Sequence, residues 1–342
     1  MKPKERIISA LERKEPDCVP VFEWDINRDV MKSVSGSDEL FHFLETMDID
    51  GVPIRPNYSK EFIDESVYVD EWGCKRKITS ESIAVIIESP IKKISNHKSY
   101  IFPDPHADHR FETIEKAVQT IGDERAVILN VRDVFSDIRD LLGYEEALIS
   151  LITEHDYYEE LLDRVIEYNR ALASIAQKRF DLNIIATTDD IADTRGLIFN
   201  PKLFFEFLGP KFREVMDGFH DLGYYCIKHT DGYIMDILDY LVDSGIDCLD
   251  PIDPTANMDI GLIKKKYGKR ICIKGNVNCV TTLVTGSLED VEDNVKYCIK
   301  NAGYGGGYIL SSSNTIHSSV KPKNFTAMMR ATREYGKYPL NL

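Results

Sequence analysis

The sequence predicts a single (β/α)₈ TIM barrel carrying an insertion in its N-terminal half, and three observations predict it. The chain has 342 residues, 43% of them hydrophobic, which suits one large core of that architecture. Its second half alternates short apolar runs with longer amphipathic ones, the pattern of a parallel sheet with crossover helices. Polar clusters follow the short runs, on the face where such barrels assemble their sites.

The strand candidates begin with three weaker runs, Val19–Phe22, Gly51–Ile54 and Ala126–Leu129. Five clearer ones follow: Asn183–Thr187, Tyr224–Lys228, Gly245–Leu249, Arg270–Lys274 and Gly307–Leu310. That makes the eight a barrel needs. Helix signals fill the gaps. Asn200 before Pro201 reads as an N-cap with proline at the first helical position, and Pro210 should kink that helix. Ser287 and Asp290 resemble a capping box opening a helix with Leu288, Val291, Val295 and Ile299 on one face. The stretch from Asp156 to Phe180 is a long amphipathic helix, and Gly268 after three lysines reads as a helix stop. Gly303–Gly307 precedes a strand instead of opening a helix, so it reads as a tight turn and not a phosphate loop. Residues Tyr58–Ser99 break the alternation and predict a two-stranded excursion, a hairpin or lid whose aromatics Tyr58, Phe62, Tyr68 and Trp72 could wall a substrate site.

Composition excludes several classes. With 42 Lys and Arg against 57 Asp and Glu, the formal charge is −15, which argues against nucleic acid or an anionic membrane as partner. No run approaches the ~20 apolar residues that span a bilayer, and the charged start MKPKERIISALERKE is no secretory signal. Seven scattered cysteines form no CxxC pair, so reduced thiols and a cytoplasmic location are expected. Cys226, Cys248 and Cys272 sit in strand runs as small buried hydrophobes.

The candidate chemistry lies at five successive strand ends. They read Thr188-Asp189-Asp190, His229-Thr230-Asp231, Asp250-Pro251-Ile252-Asp253, Gly275-Asn276-Val277-Asn278-Cys279 and Ser311-Ser312-Ser313-Asn314-Thr315-Ile316-His317. His229 and Asp231, two apart on a strand, project to one side and can address one point. Asp250 and Asp253 lie between prolines, and a structural turn is the expectation there.

From Asp189 onward the chain resembles the uroporphyrinogen decarboxylase superfamily. The resemblance rests on DDIADTRGLIFNPKLFFEFLGP, KHTDGYIMDILDYLVDSGIDCLDPI, KKKYGKRICIKGNVN and GGGYILSSSN with KPKNFTAMM. In the N-terminal half only EWG at Glu71–Gly73 and the general layout support it. The superfamily implies either porphyrinogen decarboxylation or methyl transfer involving a corrinoid protein. Decarboxylases of this type carry an arginine-rich segment near the N-terminus, where this chain reads Pro20-Val21-Phe22-Glu23-Trp24-Asp25-Ile26-Asn27-Arg28, with one arginine and two acids. Their histidine after the last strand matches Asn314 here. Coenzyme M methyltransferases of the superfamily bind zinc through His-x-Cys and a later Cys, which match His229-x-Asp231 and Asn314.

Those departures shape the expectation. The resemblance implies a corrinoid-dependent methyltransferase of the O-demethylase type, moving a methyl group from a small methylated donor, an aryl methyl ether, to cobalamin carried on a separate corrinoid protein. His229 and Asp231 are expected either to bind zinc, with Glu23, His317 or Asp189 completing the set, or to act without metal as a proton donor. Asp189 is expected among the catalytic groups, with Asn314, Asn276, His317 and Trp24 at the substrate. A carboxy-lyase acting on a small acid and a non-catalytic ligand-binding barrel are the rival readings.

Overall fold

The computed structural model describes residues 1–342. Seven parallel strands, Gly51–Ile54, Ala126–Val131, Ile184–Thr188, Tyr225–His229, Cys248–Asp250, Cys272–Val277 and Tyr308–Ser312, neighbour one another in chain order. Residues 19–22 take the eighth place. The Leu310 amide donates to the Pro20 carbonyl at 2.9 Å and the Asp50 amide to the Val21 carbonyl at 2.8 Å, which closes the (β/α)₈ barrel between its last and first regular strands. This segment makes only an isolated parallel bridge, Val21 to Leu310. The cause is local. Pro20 has no N–H to give, and the Val21 N–H goes to the Asp50 carboxylate at 2.7 Å instead of to the ladder.

In the second half the strands start and end one to three residues later than the apolar pattern predicts. Apolar runs mark the core-facing part of a strand, but the backbone ladder continues past them. His229 pairs in register with Thr188 and Asp250, and Asn276 with Ser311. The strands therefore carry their last polar side chains on rigid, hydrogen-bonded backbone.

Helices wrap the barrel, and 94 buried apolar residues form one continuous core. The expected caps are present. Asn200 accepts from the Lys202 amide at 2.9 Å, and Ser287 and Asp290 cap one another's amides reciprocally. His155–Phe180 is a single long helix, and Gly268 ends the helix Ile260–Tyr267. The helical run around Pro210 is irregular at the place where the proline interrupts it. A π-turn over Phe204–Leu208 precedes the proline, and the next helical segment, Gly209–Asp221, carries Pro210 in its first turn, where the missing N–H is not needed. In the Gly303–Gly307 turn, Gly306 has φ +73 and a Cβ there would lie 2.3 Å from the Lys14 backbone, so only glycine fits.

The insertion is larger than a hairpin. Four antiparallel strands, Lys60–Phe62, Val67–Asp70, Lys75–Lys77 and Val85–Glu88, form a separate small sheet. The count exceeds two because the stretch Val67–Lys77 doubles back at Trp72-Gly73 into two strands and the charged Lys60–Phe62 adds another. The sheet lies over the C-terminal mouth of the barrel, as a lid should. On one side it roofs a cavity floored by Asn130, Arg132 and Thr188 from the strand ends. On the other, Asn27 donates to the Ser80 carbonyl at 2.8 Å, and the Ser318 amide donates to Glu81 at 3.1 Å. Tyr58, Tyr68 and Trp72 line the cavity beneath the lid, whereas Phe62 is 58% exposed and takes no part in it. No helix is long and apolar enough to cross a membrane. All seven cysteines are unpaired and buried.

Candidate active site

The site is built around His229, the last residue of the strand Tyr225–His229. Its Nδ1 makes a short hydrogen bond to Asp250 Oδ2. Its Nε2 faces two carboxylates, Asp190 Oδ1 and Asp231 Oδ1, each at 3.7 Å. The ring packs edge-on against Trp24 with centroids 5.1 Å apart. One nitrogen is therefore committed to a buried carboxylate and the other aims at a point shared by two more.

Asp250 is the hub, and the turn expected at this position is only half of its role. Fully buried, it accepts from Trp24 Nε1 at 2.5 Å and from Lys274 Nζ at 2.6 Å, besides holding His229. Lys274, also fully buried, donates to Ser311 Oγ at 3.0 Å and lies 4.5 Å from the Phe22 ring centroid. Burial alone would favour the neutral acid, but Lys274 and His229 hold the Asp250 carboxyl below its ordinary range. An ionised Asp250 fixes the N–H of His229 at Nδ1 and leaves Nε2 directed into the mouth.

Burial pushes Asp231 up to about 7, opposed by His229 and reinforced by Asp190. Burial lowers the His229 pKa, and the carboxylates around it, Asp231 first, raise it more, so the net shift is upward. The cluster thus takes up a proton near neutrality.

Several expected members stand elsewhere. Asp189 is not at the site: its buried carboxylate accepts the amides of Val134 and Phe135 at 2.8 Å and Ser136 at 2.7 Å, the start of the helix Ser136–Leu142. Asp190 stands beside His229 in its place. Strand parity explains the exchange, because Thr188 faces inward to Asn130 and the side chain two residues on returns to that side. Glu23 is spent on Ser312, whose amide and hydroxyl donate at 2.8 and 2.6 Å, and burial pushes it up to about 7. His317 bonds the Cys279 carbonyl at 3.1 Å, outside the cluster. Asn276 donates to the Ile252 carbonyl at 2.7 Å and pins that loop. Trp24 and Asn314 do belong to the site, but as supports: Trp24 holds Asp250, and Asn314 donates to Asp231.

Asp190, His229 and Asp231 offer three ligand atoms within 4.8 Å of one another. Asp231 Oδ1 is buried without any hydrogen-bond partner, a costly condition unless something else satisfies it. Three ligands at zinc distances from a common ion would be about 3.4 Å apart in tetrahedral geometry. The 3.7 Å separations about His229 Nε2 need little contraction to reach it. The carboxylate behind His229 is the usual support of a metal-binding imidazole. The residues fit a divalent cation.

Beside the cluster lies the cavity of about 460 Å³ under the lid. His229 does not line it, but Thr188, its register partner on the next strand, does.

The family model for uroporphyrinogen decarboxylase (URO-D) matches residues 60–335, which covers the lid and the His229 cluster with Asp250 and Asn314, but not Trp24. The chain belongs to the URO-D family. A uroporphyrinogen decarboxylase from Methylococcus capsulatus is 26% identical over 98 residues, a match that spans 29% of this chain and 27% of that protein. A methyltransferase from Methanosarcina mazei superposes with a TM-score of 0.79 over 98% of this chain and 99% of its own, at 19% identity. That likeness is one of fold and extends over the whole barrel chain. Within this URO-D chain, the segment Pro20–Arg28, where a decarboxylase is expected to carry its arginines, offers no arginine to the site. Arg28 is exposed on the helix Arg28–Ser35, and Asp25 is occupied by Arg55 at 3.0 Å.

Proposed function

We propose that this protein is an O-demethylase-type methyltransferase, passing a methyl group from a small aryl methyl ether to the cob(I)alamin of a separate corrinoid protein. The observation that carries the reading is the Asp250–His229 unit aimed at Asp190 and Asp231. It is a nitrogen-and-oxygen site suited to an oxygen leaving group, and the full-length fold likeness to a methyltransferase supports it. In the reaction the methyl–oxygen bond breaks and its electron pair stays on the phenolic oxygen. Cobalt(I) supplies the pair for the new cobalt–carbon bond, and the oxygen takes up a proton. The departing phenolate is the difficult partner, and the site's task is to stabilise it.

A zinc ion held by His229, Asp190 and Asp231 would supply a Lewis acid for that oxygen. Asp250 keeps the His229 Nε2 directed at the oxygen's place, and Asn314 fixes the Asp231 carboxylate. The lid sheds water from the mouth, so that water does not compete for the oxygen. Without metal, Asp231 and Asp190 would hold His229 protonated, and Nε2 would deliver the proton.

Because Asp231 titrates near 7 and a ligating carboxylate must be ionised, zinc affinity is expected to rise with pH through neutrality. Each displaced proton contributes up to about tenfold per pH unit below that point. Competition with a chromophoric chelator at pH 6, 7 and 8 measures this, and flat or absent binding would remove zinc from the reading.

The deciding experiment supplies a cob(I)alamin-bearing corrinoid protein and a panel of aryl methyl ethers, and follows the corrinoid spectrum for methylcobalamin. The partial match to a decarboxylase keeps a carboxy-lyase as the second reading. Conversion of uroporphyrinogen to coproporphyrinogen at an enzyme-like rate, with no methylcobalamin, would establish that one instead.

A further inference from the structure

At the pole of the barrel opposite the lid, an imidazole, a thiol and a carboxylate meet. His220 lies in the last turn of the helix Gly209–Asp221. Cys226 is the second residue of the strand Tyr225–His229, at the end away from His229, and Asp247 directly precedes the strand Cys248–Asp250. One ligand atom from each of the three lies within 4.8 Å of the other two.

The backbone holds the group in place. The Cys226 amide donates to Asp247 Oδ2 at 2.7 Å, and the Asp247 amide donates to the Cys226 carbonyl at 2.8 Å. The same Oδ2 stands 3.1 Å from His220 Nε2, and Oδ1 accepts nothing in the chain. The buried Cys226 thiol has only a weak hydrogen bond, to the Tyr224 carbonyl at 4.0 Å. Residue 245 makes room for the imidazole by being glycine. Its φ is +91, and a Cβ there would crowd His220 Cε1 at 3.2 Å. The charge around the group favours a cation. Asp247, Asp217 and Asp221 all act on His220, with the Asp247 hydrogen bond the strongest influence, and raise its pKa. The carbonyls ending the helix add negative potential, and Arg170 offsets Asp221 only weakly, at 4.0 Å.

We propose that His220, Cys226 and Asp247 form a zinc site, separate from the mouth and independent of the methyl-transfer reading. Imidazole, thiolate and carboxylate are donors that zinc accepts, and the thiolate selects against calcium and magnesium. Ligands at zinc's bond lengths stand roughly 3.4–3.6 Å apart, so His220 and Asp247 are nearly placed and the thiol closes the rest by turning about its Cα–Cβ bond. Zinc takes the place of the proton between His220 and Asp247 and displaces the proton of the Cys226 thiol. The side chains of His220 and Asp247 are 36% and 23% exposed, so the ion enters from solvent and water fills the fourth position. The ion ties the end of one helix to the starts of two strands, on the barrel face that serves stability.

Cobalt(II) is the probe, because it occupies zinc sites and reports a sulfur ligand by a near-ultraviolet charge-transfer band. The whole protein, stripped of metal by dialysis against a chelator, is titrated with cobalt(II) and then with zinc. The band is expected in the parent and equally in His229→Ala, since the mouth cluster contains no sulfur, and zinc should abolish it. Cys226→Ser should lack the band. His220→Ala should weaken cobalt by more than the roughly tenfold that loss of a mere supporting residue costs. His220 is partly exposed, so this variant serves if the serine variant does not fold. Zinc should also raise the thermal midpoint of His229→Ala but not that of His229→Ala/His220→Ala. His220→Ala leaves the mouth cluster to be titrated with zinc alone. Absence of the band in the parent, its persistence in Cys226→Ser, unchanged cobalt affinity in His220→Ala, or loss of the band in His229→Ala would overturn the site.

Discussion

Replacing His229 with alanine is expected to abolish the proposed methyl transfer, lowering turnover by at least about 10²–10⁴-fold, the yield of a positioned proton donor or its metal-bound equivalent. The fold should survive. Asp250 keeps its bonds from Trp24 and Lys274, and His229 stands at a strand end with no share in the ladder beyond its own backbone. The circular dichroism spectrum and thermal midpoint of His229→Ala should therefore stay close to those of the parent while the corrinoid spectrum ceases to change. Chelation then divides the two versions of the chemistry. A strong chelator should inactivate the parent protein only if His229 works as a ligand, and should leave a proton-donating His229 untouched. Near-normal turnover of His229→Ala would dispose of both versions.

The barrel was legible because its signals are repeated. Eight apolar runs, the Asn200 and Ser287 caps and the Gly268 stop each agree with one topology, and even the irregular segment at residues 19–22 announced itself by its apolar run. His229 and Asp231 were legible for the same kind of reason, since two polar groups of like parity at a strand end must share a side. The groups behind them were not. Lys274 lies within RICIK, an apolar strand run in which a lysine passes for a residue snorkelling to solvent, and only the closed barrel shows it pointing inward at Asp250. Asp250, flanked by Pro251, has the composition of a turn, and its carboxylate acquires its meaning from Trp24, some two hundred residues earlier in the chain. Choosing between Asp189 and Asp190 needed the inward face of Thr188, which adjacent aspartates cannot reveal. The extra lid strands were hidden for two reasons: the stretch Val67–Lys77 turns back at Gly73 and so makes two strands, and Lys60–Phe62 is too short and charged to show an apolar face.

The Lys274–Asp250 pair allows stability and activity to be pulled apart. Both side chains are fully buried, with Nζ and Oδ1 2.6 Å apart. Asp250→Asn removes the carboxylate bonded to the Lys274 ammonium in the barrel interior and leaves Glu23 as the carboxyl acting on it, and breaking such a pair costs about 3–5 kcal/mol. Lys274→Met should cost less, because the Asp250 carboxylate retains His229 and Trp24 as donors and a protonated imidazole can balance its charge. In the double variant Asp250→Asn/Lys274→Met neither charge of this pair remains. The thioether side chain fills the lysine's path beside Phe22 and Trp24, so most of the lost stability should return in urea unfolding. Activity should not return with it. The carboxamide cannot hold the His229 Nδ1–H as an ionised carboxylate does, and loss of such a partner behind a working histidine lowers metal affinity or turnover by about 10–100-fold. The expected result is therefore a double variant close to the parent in unfolding midpoint but depressed in methyl transfer to the same degree as Asp250→Asn. If the double variant is as unstable as Asp250→Asn, the buried charge is not what the single variant exposes. If it turns over like the parent, Asp250 only fills space, and the orienting role assigned to it fails.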